Sequence, residues 1–192
     1  MNKIKSKLPQ NAALILIDIQ KGFDDPKWGK RNNPKAEKNM VKLLHAWRRT
    51  KRPLFHIRND STEALSPLRP EKPGNAIKDI VAPLPGEPLI IKTVNSALIG
   101  TDLENRLRIQ KITSVVLVGL TTDHCVSTTA RMAGNLGFKT YVVSDATATF
   151  DRKDSRGKYY SAKTMHEVAL VSLENEFATI VDTKTLLTTL RA

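Results

Sequence analysis

The chain has 192 residues, of which 40% are hydrophobic and 26% are charged, and its formal net charge is +12. This length and composition predict a single globular domain over residues 1–192, and the absence of an apolar run near 18 residues excludes a transmembrane helix. One cysteine excludes an internal disulfide, and the basic N-terminus lacks the apolar segment of a secretory signal, so we expect a cytoplasmic protein.

Short apolar runs alternate with amphipathic segments along the chain, which is the pattern of strands alternating with helices. In chain order, strands are predicted at residues 12–19, 53–58, 89–93, 114–120, 138–144 and 178–181, and helices at residues 33–51, 102–110, 123–136, 161–175 and 183–190. This alternation indicates an α/β fold, in which a parallel sheet is covered by helices on both faces. The long connection at residues 59–88 is expected to be functional, as a lid or an interface arm.

The excess of positive charge is spread through the sequence rather than collected in one region. Its densest cluster, at residues 48–52, ends a predicted helix, where positive charge is favourable beside the helix dipole. Aromatic residues make up only 5% of the chain, which is poor for base stacking. We therefore expect a solvated basic surface with no nucleic acid or membrane partner, and a non-catalytic polyanion-binding protein is the alternative outside the enzymes.

Three predicted strands are followed by reactive or charged side chains. Asp18 closes the first strand, Lys92 closes the third, and Cys125 comes just after the fourth, at the start of a predicted helix. In open parallel sheets, ligands bind beyond the carboxyl ends of the strands, so we expect these three side chains to meet at one edge. A buried carboxylate or ammonium is costly unless it is paired, which favours a shared site.

Cys125 is the candidate nucleophile, because a thiol in the first turn of a helix faces unpaired N–H groups and the positive end of the dipole, which lower its pKa. Asp18 is the candidate base for the thiol proton, and Lys92 is expected to hold Asp18 and to favour the thiolate. Each residue alone also has a structural explanation. Cys125 could be a small core residue, Asp18 could cap a loop, and Lys92 could reach solvent. Together they favour acyl transfer at a carbonyl.

Ordered motifs along nearly the whole chain resemble the isochorismatase-like cysteine hydrolase superfamily. They are LIDIQKGF at residues 16–23, IK at 91–92, NSAL at 95–98, GTDL at 100–103, GLTTDHCV at 119–126, TTAR at 128–131 and VSDA at 143–146. The resemblance implies a Rossmann-like, three-layer α/β/α sandwich with a six-stranded parallel sheet and a catalytic triad of Asp18, Lys92 and Cys125. It also implies a cis peptide bond between Leu120 and Thr121, with the Thr121 and Cys125 N–H groups forming an oxyanion hole.

Within this superfamily, the residues favour cleavage of a C–N bond. Nicotinamidases carry a metal site with an Asp-x-His pair and further histidines, whereas here His56 precedes Arg58 and the next histidine is His124. We therefore expect no metal and no cofactor. Isochorismatases, as the family is described, lack the cysteine at this position, because a vinyl ether needs protonation by an acid rather than attack by a thiol.

The resemblance is strongest to amidohydrolases of the streptothricin hydrolase type, through residues 60–75, His124 and residues 132–135. We expect hydrolysis of an amide, lactam or carbamoyl bond of a small molecule through a thioester acyl-enzyme. The alternative reaction is hydrolysis of a vinyl ether with release of pyruvate. Family members are often oligomers, so a homo-oligomer, a dimer or larger, is expected. The expected substrate contacts are Gln20, Phe23, Trp28, Asn95, Leu98 and Leu120.

Overall fold

The computed structural model describes residues 7–190. Its strands are β1 (Ala13–Ile17), β2 (Leu54–Asn59), β3 (Leu89–Lys92), β4 (Ser114–Leu120), β5 (Lys139–Ala148), β6 (Arg152–Lys153), β7 (Tyr159–Tyr160) and β8 (Thr179–Val181). Its helices are α1 (Ala36–Arg49), α2 (Leu103–Ile109), α3 (Ser127–Asn135), α4 (Ala162–Leu173) and α5 (Thr183–Leu190). Six strands form one sheet in the order β3-β2-β1-β4-β5-β8, and all neighbouring pairs are parallel. The predicted six-stranded parallel sheet is confirmed.

Helices cover both faces of the sheet because successive strand residues point to opposite sides. Leu14 and Leu16 of β1 pack with α1 and α5 in one apolar cluster, whereas Ala13, Ile15 and Ile17 pack with α2, α3 and α4 in the other. All five β1 side chains are buried, as expected for a central strand of a parallel sheet. This arrangement is the predicted three-layer α/β/α sandwich. No helix within residues 7–190 is long and apolar enough to cross a membrane.

Strand β4 approaches β1 so closely at Gly119 that only glycine fits there. The φ angle of Gly119 is +126°, and a β-carbon at this position would lie 1.9 Å from the Ile17 carbonyl oxygen. The pairing of β4 with β5 shifts between Leu117 and Gly119, and β5 continues to Ala148 instead of ending at the predicted residue 144. The close approach brings the carboxyl ends of β1 and β4, and the candidate residues that follow them, next to each other.

The segment that carries the cysteine differs from the helix predicted at residues 123–136. It begins with a π-helical turn, Thr122–Val126, and α3 starts only at Ser127. Turns of this kind occur frequently at functional sites, and apolar periodicity does not distinguish one such turn from an α-helix. The strands β6 and β7 were not predicted either, because two residues are too few for an alternating pattern.

Candidate active site

Asp18, Lys92 and Cys125 meet at the carboxyl edge of the sheet. Asp18 follows β1 directly, Lys92 is the last residue of β3, and Cys125 lies in the π-helical turn after β4. The Lys92 Nζ atom lies 2.7 Å from Asp18 Oδ2 and 3.5 Å from Cys125 Sγ, and the side chains of the ion pair are fully buried. The structure therefore brings together a carboxylate, an ammonium and a thiol that come from three separate segments of the chain.

Two asparagine side chains complete the surroundings of the lysine and the thiol. Asn59, the last residue of β2, accepts a hydrogen bond from Lys92 Nζ through Oδ1 at 3.2 Å. The Cys125 thiol faces Asn95 Oδ1 at 3.6 Å. Asn95 was an expected substrate contact, whereas sequence analysis missed Asn59, although its position at the end of a strand carried the same signal as that of Lys92.

Asp18 is held in an unusual environment for a carboxylate. Its backbone φ is +52°, in the left-handed region that non-glycine residues rarely adopt and that occurs often at functional sites. Its Oδ2 atom lies 2.7 Å from Lys92 Nζ, and the contacts with Lys92 and Cys125 favour the charged form. Burial raises the pKa of Asp18, and the Lys92 ammonium opposes this rise without cancelling it. Asp18 is therefore more basic than an exposed carboxylate.

The environment of Cys125 corrects the expectation of a lowered thiol pKa. Burial raises the pKa of Cys125 well above its ordinary value, the Asp18 carboxylate raises it further, and Lys92 opposes both effects. The helix dipole favours the thiolate, but desolvation of the thiolate and the neighbouring negative charge act more strongly here. At rest the sulfur is a neutral thiol, so its reaction as a nucleophile requires a base that takes its proton.

The thiol lines a cavity of about 620 Å³ that opens at this edge of the sheet. Phe23 and Trp28, both expected from the sequence, form an aromatic wall, with ring centroids 5.4 Å apart. Phe150 packs behind this wall, 6.1 Å from Phe23 and 5.8 Å from Trp28 between centroids. Residues 63–66 of the long connection line the cavity from another side. A volume of this size accommodates a small organic molecule.

Polar side chains that sequence analysis missed line the same cavity. Lys27, His124 and Arg152 come from three separate segments, and the Lys27 ammonium is 5.1 Å from the Trp28 ring centroid. Arg152 is held by Asp123, whose Oδ2 lies 3.2 Å from its Nε. Burial lowers the pKa of His124, so this imidazole is neutral near pH 7. The position of His124, next to the thiol, was the signal that could have identified it.

Gln20, an expected substrate contact, lies outside the cavity and is fully buried. Its amide nitrogen donates to the carbonyl oxygens of Asn59 and Asn75 at 3.0 and 2.8 Å, and its Oε1 accepts the Asn59 N–H at 3.0 Å. The expectation assumed an extended chain beyond Asp18, but the left-handed backbone at Asp18 ends the strand and redirects the side chains that follow. Gln20 therefore holds the backbone of the residue that contacts Lys92.

Leu98 and Leu120 also lie outside the residues that line the cavity. Leu120 is fully buried in the cluster with α1, because it is still part of β4. Leu98 packs against the cluster on the opposite face of the sheet. The peptide bond between Leu120 and Thr121 is cis, and Thr121 lines the cavity together with Cys125. The Thr121 carbonyl oxygen accepts hydrogen bonds from the His124 and Val126 N–H groups, both at 3.2 Å.

The histidine of β2, His56, is part of a structural ion-pair network. It is buried, its Nε2 lies 2.9 Å from Glu87 Oε2, and burial lowers its pKa. Within residues 7–190, no group of three or more His, Cys, Asp or Glu side chains is arranged to hold a metal ion.

The model of the isochorismatase domain matches residues 12–185. The chain belongs to the isochorismatase family. The isochorismatase family protein YrdC of Bacillus subtilis (strain 168) is 51% identical over 180 residues, which cover 94% of this chain and 96% of YrdC. The crystal structure of an isochorismatase family protein from Chromobacterium violaceum superposes with a TM-score of 0.94 and 42% identity, covering 100% of this chain and 99% of that one. The resemblance noted in the sequence motifs is confirmed.

Two more distant isochorismatase-family relatives have names that state a substrate. Nicotinamidase 3 of Arabidopsis thaliana is 28% identical over 184 residues, covering 89% of this chain and 84% of the relative. Streptothricin hydrolase of Streptomyces noursei is 29% identical over 142 residues, covering 72% of this chain and 50% of the relative. Both names describe hydrolytic enzymes.

Proposed function

We propose that this chain is a cysteine hydrolase that cleaves an amide, lactam or carbamoyl C–N bond of a small molecule through a thioester acyl-enzyme. The observation that carries the proposal is that one buried ammonium, Lys92 Nζ, contacts both the Asp18 carboxylate and the Cys125 thiol, at 2.7 and 3.5 Å. A nucleophile beside a base that a third group orients is the arrangement that covalent catalysis requires. The thiol also lines a cavity of about 620 Å³ that can admit a substrate.

In the first step, Cys125 Sγ bonds to the substrate carbonyl carbon while the thiol proton passes to Asp18. The carbonyl π electrons move to oxygen, and the N–H groups of Thr121 and Cys125 hold the resulting oxyanion. Burial raises the pKa of both side chains, so the proton leaves sulfur only as the new bond forms, and Asp18 is basic enough to accept it.

In the second step, the tetrahedral intermediate expels its nitrogen. The C–N bond breaks, the oxyanion electrons restore the carbonyl, and the proton on Asp18 transfers to the departing nitrogen, which leaves a thioester on Cys125. A water molecule that loses a proton to Asp18 then attacks the thioester carbon. The C–S bond breaks, the sulfur regains the proton, and Lys92 keeps Asp18 oriented and balances its charge throughout.

The cavity and the relatives support a C–N bond of a small molecule as the target. The aromatic wall of Phe23 and Trp28 suits a flat or apolar part of the substrate, and Asn95 lies beside the sulfur where the reacting group must sit. Two relatives are named for nicotinamide and streptothricin, and this chain is proposed to share their hydrolytic chemistry. A neutral thiol paired with a carboxylate favours attack on a carbonyl carbon over protonation of a vinyl ether.

The first experiment is a panel of amides, ureas and lactams scored for release of ammonia or amine. With any substrate that is turned over, we expect Cys125→Ala to lower kcat/KM by about 10⁴-fold or more, since the nucleophile is lost. The matched control is Ser127→Ala, a small buried residue two positions further along that does not line the cavity and should retain activity. Both variants should unfold at temperatures near that of the wild type. Full activity of folded Cys125→Ala would contradict the proposal.

Three further measurements distinguish the remaining functional classes. Mass spectrometry of the wild type quenched during turnover should detect a protein species heavier by the acyl group of the substrate. Pyruvate release from isochorismate, followed with lactate dehydrogenase, would instead identify the vinyl-ether reaction. If no substrate is turned over, salt-sensitive binding of polyanions would identify a non-catalytic polyanion-binding protein.

A further inference from the structure

The outermost strand on one side of the sheet, β3, exposes apolar side chains to solvent. Leu89 is 40% exposed and Ile91 is 47% exposed, whereas Ile90 and Lys92, which alternate with them, are buried. Of the eleven large hydrophobic side chains that are exposed within residues 7–190, four lie between residues 89 and 99. The outermost strand on the other side, β8, exposes no large hydrophobic side chain. We call Leu89, Ile91 and their backbone the β3 edge.

The backbone of the β3 edge offers hydrogen-bonding groups that β2 does not use. The carbonyl oxygens of Pro88 and Lys92 accept hydrogen bonds from two N–H groups in or just after β2, at 3.0 and 2.9 Å. Because alternate residues of a parallel strand face the same neighbour, the N–H and C=O groups of Leu89 and Ile91 point away from β2. No other segment within residues 7–190 pairs with this outer side. The β3 edge is therefore a template for one further strand.

The β3 edge carries no unbalanced charge, in a protein whose formal net charge is +12. Between residues 88 and 101, Lys92 is the one charged residue, and its side chain is fully buried. Arg58, which lies level with Ile91 on β2, is paired with Asp60 at 2.8 Å. The excess positive charge makes two copies of the chain repel each other, and this repulsion is weakest where both surfaces are uncharged. An acidic or basic partner would find no opposite charge to recognise here, which favours a second copy.

A second copy fits the β3 edge because β3 can pair with itself in the antiparallel direction, about a two-fold axis at Ile90. In this register, Leu89 lies opposite Ile91 of the second copy, and Ile91 lies opposite its Leu89. Each of these pairs exchanges two N–H···O=C hydrogen bonds, so all four outward backbone groups of each copy find a partner. The side chains that meet across the axis are apolar on both copies, which is a favourable cross-strand combination. The two-fold axis makes every contact occur twice.

We propose that the β3 edge is the interface of a homodimer, in which β3 of one copy pairs with β3 of a second copy and the two sheets join into one. Because β3 has only four residues, the interface is small, and we expect a reversible dimer with a Kd on the order of 10 µM. Leu89 and Ile91 become covered in both copies. The interface does not include Cys125 or the cavity beside it, so it does not depend on the proposed hydrolase activity.

Sedimentation velocity of the full chain tests the proposal at protein concentrations from well below to well above this Kd. We expect the wild type to change from monomer to dimer as the concentration rises. Ile91→Lys should weaken the dimer about tenfold or more, because it places an ammonium against Leu89 of the second copy. The matched control is Val168→Lys, which adds the same charge at a valine of α4 that is 62% exposed and outside β3, and it should dimerise as the wild type does. Circular dichroism should show that both variants are folded.

Disulfide cross-linking tests the register. Leu89→Cys and Ile91→Cys are made separately in the Cys125→Ala background, which leaves one thiol in each chain. Opposite residues of an antiparallel pair have Cα atoms about 5.5 Å apart, so a mixture of the two variants should form a covalent dimer under mild oxidation. Each variant alone should cross-link much less, because identical residues are then diagonal neighbours, about 7–8 Å apart.

Three results would overturn the proposal. The first is a wild type that stays monomeric at every concentration, which would leave the β3 edge to a different partner. The second is a dimer that Val168→Lys weakens as much as Ile91→Lys does, which would place the interface elsewhere or assign the effect to net charge. The third is a mixture of Leu89→Cys and Ile91→Cys that cross-links no faster than either variant alone.

Discussion

Two carboxylates of this protein are buried beside lysine, yet their environments shift the carboxyl pKa in opposite directions. Asp18 and Lys92 form an ion pair with fully buried side chains, and Lys92 is the one cationic partner of Asp18 among residues 7–190. Glu37 is also mostly buried, but Arg31 contacts both of its oxygens at 2.7 and 2.8 Å and Lys78 contacts Oε1 at 2.8 Å. The two carboxylates therefore differ in the number of cationic partners, one for Asp18 and two for Glu37, as well as in burial.

The two pKa shifts follow from this difference. Burial raises the pKa of Asp18, and the charge of Lys92 together with the contacts from Lys92 and Cys125 does not offset this rise. Burial also acts to raise the pKa of Glu37, but the hydrogen bonds from Arg31 and Lys78 and their charges lower it to about 2. The folded environment therefore stabilises the charged form of Glu37, which suits a structural role. It leaves Asp18 basic, which suits proton transfer.

The sharpest test of this comparison is Asp18→Asn. With a substrate from the panel, we expect kcat/KM to fall by about 10³-fold, because the base that takes the thiol proton is gone. The substitution also leaves the fully buried Lys92 ammonium without its counter-ion, so we expect the free energy of unfolding to fall by about 3 kcal/mol. Enzyme kinetics and denaturant unfolding measure the two quantities on one preparation. Asp79→Asn, which changes an exposed carboxylate, serves as the control.

The second test separates the effect on stability from the effect on activity. We expect Glu37→Gln to lower the free energy of unfolding at pH 7 by about 3 kcal/mol, the value that corresponds to a pKa shift from 4.5 to about 2, while kcat changes little. Glu104→Gln, at an exposed i,i+4 pair with Arg108, should change stability by about 0.5 kcal/mol or less. Equal effects of the two substitutions would show that the Glu37 network contributes no more than a surface ion pair.

The pH dependence of stability follows with a definite sign. The folded-state pKa of Glu37 lies below the unfolded value, so its contribution is fully present above about pH 5 and is lost as the pH falls toward 2. In the wild type, the free energy of unfolding should therefore decrease through this range. In Glu37→Gln the decrease should be smaller, because the group that takes up the proton is absent. Parallel curves for the two proteins would contradict this account.

The fold could be predicted because apolar runs and helical periodicity determine it locally. Six strands and five helices were predicted near their observed positions, and the parallel sheet followed from their alternation. The π-helical turn at Thr122–Val126 and the extension of β5 to Ala148, which follows a register shift between β4 and β5 near Gly119, could not be predicted. Such contacts between distant segments leave no periodic pattern in the sequence.

In the candidate site, too, some features could be predicted from the local sequence, whereas others depend on contacts between distant segments. Asp18, Lys92 and Cys125 could be found because they lie at or just beyond strand ends, which parallel sheets bring to one edge. The raised pKa of Cys125 could not be predicted, because it depends on how deeply the thiol is buried and on the Asp18 charge beside it. Arg152 lines the cavity from the short strand β6, and the paths of connecting segments are not encoded in hydrophobic periodicity.

Gln20 provides the last and smallest test, because the sequence and the structure assign it different roles. Gln20→Met keeps the volume of the side chain but removes its hydrogen bonds to Asn59 and Asn75. Asn59 then holds Lys92 less firmly, so we expect kcat to fall about tenfold with little change in KM, because the altered interaction lies outside the substrate cavity. Leu98→Met, at another expected contact that lies outside the cavity, should leave both constants unchanged. A higher KM with unchanged kcat in Gln20→Met would instead mean that the amide touches the substrate, and that Asn59 holds Lys92 without help from Gln20.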